Sequence, residues 1–148
     1  MNLRITIALV VLFVVVILGA VLIATPTPIS GPNGDTQEED RFISENVKVS
    51  SPRPDSTVLK TFTVIGEARG TWYFEASFSI FIIDANGVKV GQGIAQAAEN
   101  WMTEDFVPFT AQVTVENYSG PAILVLLKDN PSGLPENDDS VSFPIVIQ

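Results

Sequence analysis

From about Glu45 to Gln148, apolar side chains recur at every second position, in runs interrupted by Gly, Pro, Asn and Asp. A period of two sends successive side chains to opposite faces of an extended strand. Runs of this kind, without long stretches of helical spacing, fold as antiparallel sheets with one face buried.

The longest run places Trp72, Phe74, Ala76, Phe78, Ile80 and Ile82 on one strand face, with Tyr73, Glu75, Ser77 and Ser79 on the other, until Phe81 and Ile83 turn that face apolar too. Asp84 to Gly87 reads DANG, which predicts a tight hairpin with positive φ at Asn86 and Gly87 and a return strand over Val88 to Ile94. Phe109, Ala111, Val113 and Val115 alternate with polar residues in a half-buried strand. Ala122 to Leu127 is almost wholly apolar and suits a central strand, while Val141, Phe143, Ile145 and Ile147 alternate in the last one. Pro144 has no amide donor, which predicts that this strand lies at an edge or bends. With Val47 to Val49 and Val58 to Ile65, the total is about seven strands, the outline of an all-β, immunoglobulin-like antiparallel β-sandwich. The Cys, Trp, Cys pattern of antibody domains is absent, although Trp72 can serve as a core tryptophan. Within GQGIAQAAENW (Gly91 to Trp101), Ala95 to Asn100 also reads as a short helical turn.

Ahead of this segment, Ile5 to Ala24 runs ITIALVVLFVVVILGAVLIA without a charge. That is the length of a single helix crossing roughly 30 Å of hydrocarbon. Arg4 precedes it and Asp35, Glu38, Glu39 and Asp40 follow, which keeps the amino terminus in the cytoplasm and exports the rest. A cleaved signal peptide is the competing reading, but bulky Leu22 stands where a small residue is wanted before a cleavage site. Residues 25–44 carry prolines, glycines and an acidic run, the composition of an extended, solvated linker. The expected organisation is therefore a membrane anchor over 1–24, a linker over 25–44 and a β-sandwich over 45–148.

The 148 residues carry a formal net charge of -9, with no basic stripe, which excludes a nucleic-acid binder of the usual phosphate-neutralising kind. The chain has no cysteine and no histidine. Disulfides, thiolate nucleophiles, Ser-His-Asp triads and imidazole or thiolate metal sites are thereby excluded, and no cofactor is implied. Any catalysis would rest on carboxylates, Lys, Tyr or Ser.

Three segments have more character than a generic sandwich requires: GEARGTWYFEA (Gly66 to Ala76), WMTEDFVPF (Trp101 to Phe109) and DNPSGLPENDDS (Asp129 to Ser140). Arg69 and Glu75 bracket the aromatic run Trp72, Tyr73, Phe74. An Arg fork can pair with a carboxylate and stack on a ring, so Arg69 is expected to pin a loop by an ion pair with Glu75 or Asp105. Trp101 is expected in the core, with an exposed sugar- or peptide-stacking cluster of Trp72, Tyr73 and Trp101 as the alternative. Met102, Phe106 and Phe109 share the core expectation. The oxygen-rich third segment reads as a rigid turn-forming loop, with calcium binding as the alternative.

In this order, ahead of the closing SFPIVI at Ser142 to Ile147, the three segments resemble the immunoglobulin-like domain of bacterial spore germination proteins. The resemblance implies a small exported β-sandwich module and transfers no catalytic residue. The expected function is a non-catalytic binding or structural module of the bacterial cell envelope. It would be displayed outside the cytoplasmic membrane, contact an envelope protein or wall polymer, and possess a candidate cluster at Arg69, Trp72, Glu75, Trp101 and Asp105. A glycan-active enzyme with Glu75 and Asp105 as acid and base, or an envelope assembly subunit, are the alternatives.

Overall fold

The computed structural model describes residues 41–148. The expected anchor at residues 5–24 and nearly all of the linker lie outside the described residues. Among the described residues no helix is long and apolar enough to cross a membrane.

Among the described residues nine strands form one sheet: β1 (Phe42–Ile43), β2 (Val47–Ser51), β3 (Thr57–Val58), β4 (Thr61–Arg69), β5 (Ser77–Asp84), β6 (Lys89–Ala97), β7 (Phe106–Val115), β8 (Gly120–Leu127) and β9 (Ser140–Ile147). Their order is β1-β2-β4-β7-β6-β5-β8-β9-β3, antiparallel throughout except for the short β3–β9 pair. The seven strands expected from the alternation are present, and β1 and β3 are two-residue additions. The expected Val58 to Ile65 strand is divided between β3 and β4, and the sheet begins at Phe42, ahead of the expected end of the linker.

The sheet curls until its inner face closes on itself. Phe78 of β5 meets Phe109 of β7 edge-to-face at 5.0 Å, although β6 lies between their strands. Towards the two ends of the order, Phe42 of β1 stacks on Phe143 of β9, the strand next to last, at 4.9 Å. Two layers are thus made from one sheet, joined where β6 pairs with both β5 and β7. The inner face carries Val64, Ala68, Ile80, Ile82, Val113, Leu124, Leu126 and Ile145, all buried, at the alternating positions of their strands. Among the described residues no charged or polar side chain is buried in this core. Burying one would demand partners that an alternating apolar strand does not supply.

Pro144 sits where its missing donor costs no ladder bond. Its carbonyl accepts from Asp55 N at 2.7 Å, on the side of β9 away from β8. The proline nitrogen faces the same side, next to the short β3, as expected of a strand near an edge.

Three local expectations are corrected. The long strand from Trp72 does not form: Gly70–Trp72 is a 3-10 turn, and Phe74 to Ser77 is a two-residue hairpin turn with Glu75 at φ 50 and Ala76 at φ 62. Alternation resumes only at Ser77, so Tyr73 is 4% exposed and Phe74 is 40% exposed, the reverse of the expected faces. At DANG only Gly87 has positive φ, and the register slips between Ile82 and Ile83. This is a turn closed by a bulge, in which the Asp84 carboxylate accepts from the amides of Asn86 and Val88. Those bonds, that from Val88 above all, hold the Asp84 carboxyl below its ordinary pKa. Finally, β6 continues as strand to Ala97, so Ala95 to Asn100 is not a helical turn; Ala97 N donates to Ala76 O at 2.9 Å.

Phe78 touches three other rings, at Trp72, Tyr73 and Phe109. Phe78→Ala is expected to lower unfolding stability by about 3 to 5 kcal/mol, through lost burial and an unfilled cavity, as read from urea denaturation.

Candidate functional site

The pairing register gathers the three distinctive segments at one end of the sheet. Arg69 at the end of β4 stands opposite Phe106 at the start of β7, Ala97 at the end of β6 opposite Phe109, and Leu127 at the end of β8 opposite Ser140. Backbone hydrogen bonds then lock the loops together. Gly70 N donates to Asp105 O at 3.0 Å, and Asp129 N donates to Trp72 O at 3.0 Å. Gly70 is required by close approach: a Cβ there would lie 2.0 Å from Thr103 O and 2.3 Å from Trp101 O. The backbone of GEARGTW is therefore pressed against the backbone of WMTED.

The aromatic residues divide by depth. Trp72 is a core tryptophan, 6.1 Å from Phe78 edge-to-face. Tyr73 is buried, and its hydroxyl donates to Val107 O at 2.8 Å. Trp101 is half-buried against the core, whereas Met102 is 74% exposed, against expectation. With Trp72 and Tyr73 inside, the alternative of a sugar-stacking cluster of Trp72, Tyr73 and Trp101 is not formed.

Arg69 makes neither of the expected ion pairs. Its guanidinium lies 4.1 Å from the centroid of the Phe106 ring and donates through Nη1 to Glu104 O at 3.3 Å. Glu75 is exposed at the tip of its turn, and the Asp105 carboxylate accepts from the Thr103 hydroxyl at 3.4 Å. Cation–π stacking plus one carbonyl does the pinning expected of a carboxylate pair. The turn between Arg69 and Glu75 breaks the strand that would have set their spacing. Of the five candidate residues, Arg69, Trp72, Trp101 and Asp105 belong to the interlocked loops, and Glu75 stands apart on the hairpin tip.

Two residues that the sequence did not point to complete the outer face of this end. Lys48 on β2 places Nζ 4.0 Å from the same Phe106 ring and 3.8 Å from Glu67, its cross-strand neighbour on β4. Lys48, Glu67, Arg69 and Phe106 thus make a continuous charged and aromatic shelf. Beside it, a shallow concavity of about 320 Å³ is lined by Ile43, Lys48, Ile65, Glu67 and Pro108 among others. No local signal joins Lys48 to Glu67 of the GEARGTWYFEA segment, because their partnership exists only through the β2–β4 register.

The third segment is an internally braced loop. Asn130 donates to Leu134 O at 2.8 Å and to Asp138 at 2.7 Å, and Asn137 donates to the Ser132 hydroxyl at 2.9 Å. Lys128 caps it by donating to Asn137 O at 3.1 Å. Among the described residues no three acidic side chains gather in a way that would hold a metal ion.

Gly70→Ala is expected to destabilise the protein by about 1 to 3 kcal/mol, since backbone must move to admit the methyl group. Arg69→Ala is expected to cost only about 0.5 to 1 kcal/mol, the worth of a partly exposed cation–π contact. Thermal unfolding of both variants side by side checks the order.

Burial pushes the Tyr73 phenol well above its ordinary pKa, with a smaller push from Glu67, against a lowering by backbone hydrogen bonding. A raised folded-state pKa means that the folded protein holds its proton longer than the unfolded chain. Stability is therefore level below about pH 10, the unfolded value, and falls above it by about 1.4 kcal/mol per pH unit. Denaturation midpoints at pH 8 and pH 11 are expected to show this loss in the parent protein, and to show it largely removed in Tyr73→Phe.

No curated protein and no solved structure matches the chain. A family model described as the immunoglobulin-like domain of bacterial spore germination matches residues 46–133, which takes in β2 to β8, the first two distinctive segments and the start of the third. The closing strand β9 lies beyond the match. Since the match covers more than half of the chain, this protein belongs to the family of immunoglobulin-like domains of bacterial spore germination.

Proposed function

We propose that the chain is a binding or structural module of the bacterial cell envelope, held in the cytoplasmic membrane by residues 5–24 with its sheet outside. In this reading it acts by contact rather than by catalysis, in the assembly that supports sporulation or germination. Family membership over residues 46–133 is the observation that carries the reading. The uncharged run at Ile5 to Ala24, with its one flanking cation at Arg4 and acidic residues beyond, supports the orientation.

The shelf of Lys48, Arg69 and Phe106 is the contact face this reading favours for an envelope protein or wall polymer. Its cations are held in place by a ring beneath them, so a partner meets them without first ordering long side chains. In a chain of net charge -9, it is also a face that offers positive charge to a partner.

Two measurements test the proposal. Protease added to spheroplasts carrying the full chain with a carboxy-terminal tag is expected to destroy the tag; a protected tag would overturn the orientation. Cross-linked pull-down from envelope, run beside co-sedimentation with purified wall, is expected to show capture by one of the two that the paired Lys48→Glu and Arg69→Glu variant loses. Absence of capture in both, or capture unchanged in the variant, would overturn the contact face.

A further inference from the structure

The shallow concavity beside the Lys48, Arg69 and Phe106 shelf joins two kinds of surface. Cross-strand register sets its floor: Ile43 of β1, Lys48 of β2, Glu67 of β4 and Pro108 of β7 stand in one row across the outer face. Arg69 with Phe106 forms the row on one side, and Ile65 with Thr110 the row on the other. Ile43 is 58% exposed and Ile65 46%, and both line the concavity together with Pro108 and Arg41. Residues 41–148 include seven Lys and Arg, and three of them, Arg41, Lys48 and Arg69, meet on this face. Glu67 opposes them by pairing with Lys48, while the Asp105 carboxylate is turned to Thr103.

Each kind of surface restricts the occupant. Charges more than about 8 Å apart are largely screened at physiological ionic strength, so a segment lying here meets these cations rather than the net charge of the chain. That selects an anion. The exposed isoleucines and Pro108 gain by leaving water only against apolar side chains, which selects an occupant that carries them. A polyol phosphate of the wall has the charge and no apolar side chain. A neutral glycan lacks the charge, and its usual platform is taken, since the Phe106 ring is overlaid by Lys48 and Arg69. A peptide supplies both. In an extended chain, side chains at i and i+2 share a face about 7 Å apart, the same spacing that sets Arg69, Glu67 and Ile65 along β4.

On the reading of the shelf as a contact face, we propose that it takes an extended acidic segment of a protein partner. One carboxylate of the segment engages the Arg69 fork, the geometry in which guanidinium pairs bidentately. Four residues away along β4, an apolar side chain covers Ile65 and Ile43. The position between them lies over the Lys48–Glu67 pair and carries no charge.

A display library of random decapeptides, panned on the full chain in detergent, is expected to enrich sequences with Asp or Glu four residues from Leu, Ile, Val or Phe. By fluorescence anisotropy, a selected peptide is expected to lose about tenfold in affinity for Arg69→Gln and for Ile65→Ser, since each removes one of the two contacts. Lys60→Gln, at the opposite end of β4, is expected to bind like the parent. Absence of enrichment, enrichment without acidic residues, or undiminished binding to either Arg69→Gln or Ile65→Ser would overturn the proposal. Co-sedimentation with purified wall separates this failure from that of the contact face. Wall binding that the paired Lys48→Glu and Arg69→Glu variant loses would overturn the peptide assignment and leave the face standing with a wall polymer on it. Failure of peptide, envelope and wall together would overturn both.

Discussion

The edge-to-face contact of Phe78 with Phe109 closes the fold. These rings belong to strands separated in the sheet by β6, and they meet only because the sheet curls. Trp72 and Tyr73 pack on the same Phe78 ring, so the contact that closes the sheet also anchors the loops at its end. Aromatic pairs at such centroid separations contribute beyond their buried area, and each large ring also removes substantial apolar surface from water. Displacing Phe78 would loosen the β5-to-β7 closure and the seat of the 3-10 turn together.

The loop end shows how a glycine and a ring can replace an ion pair. Gly70 lets two backbones touch, and Phe106 gives Arg69 and Lys48 a common surface to lie on. Carboxylates in the neighbourhood are left for other work: Glu67 pairs with Lys48, and Asp105 holds its own loop through Thr103. The result is a shelf whose positive charge is ordered and solvent-facing. Such a surface suits recognition of a partner better than a buried ion pair would, because its charges are accessible and already ordered on the Phe106 ring.

Much of the architecture was legible in the residues. Alternation located Phe78, Ile80 and Ile82, the β7 run from Phe109 to Val115, and the β9 run from Phe143 to Ile147, because inward and outward side chains must follow the two-residue period of a strand. Pro144 announced a strand near an edge, as its outward-facing nitrogen bears out. The reading failed where the period was interrupted without a glycine or proline to mark it. Glu75 and Ala76 adopt positive φ although neither is a residue that prefers it, so Trp72 to Ser77 was read as strand and the faces of Tyr73 and Phe74 came out reversed. Part of the site was similarly legible. Arg69, Trp72, Trp101 and Asp105 do gather, while Glu75 does not.

The amino acids by themselves determined that this chain builds an all-β domain, since binary pattern and turn residues act locally and are read in order along the chain. Tertiary structure alone decided that one sheet curls to make both layers, that Arg69 turns to a ring rather than a carboxylate, and that Lys48 joins it. It alone decided, too, that the second apolar side of β8 is left facing outward. Each of these depends on register between strands distant in sequence, and register is set by how the whole apolar face closes on itself rather than by any stretch of neighbouring residues.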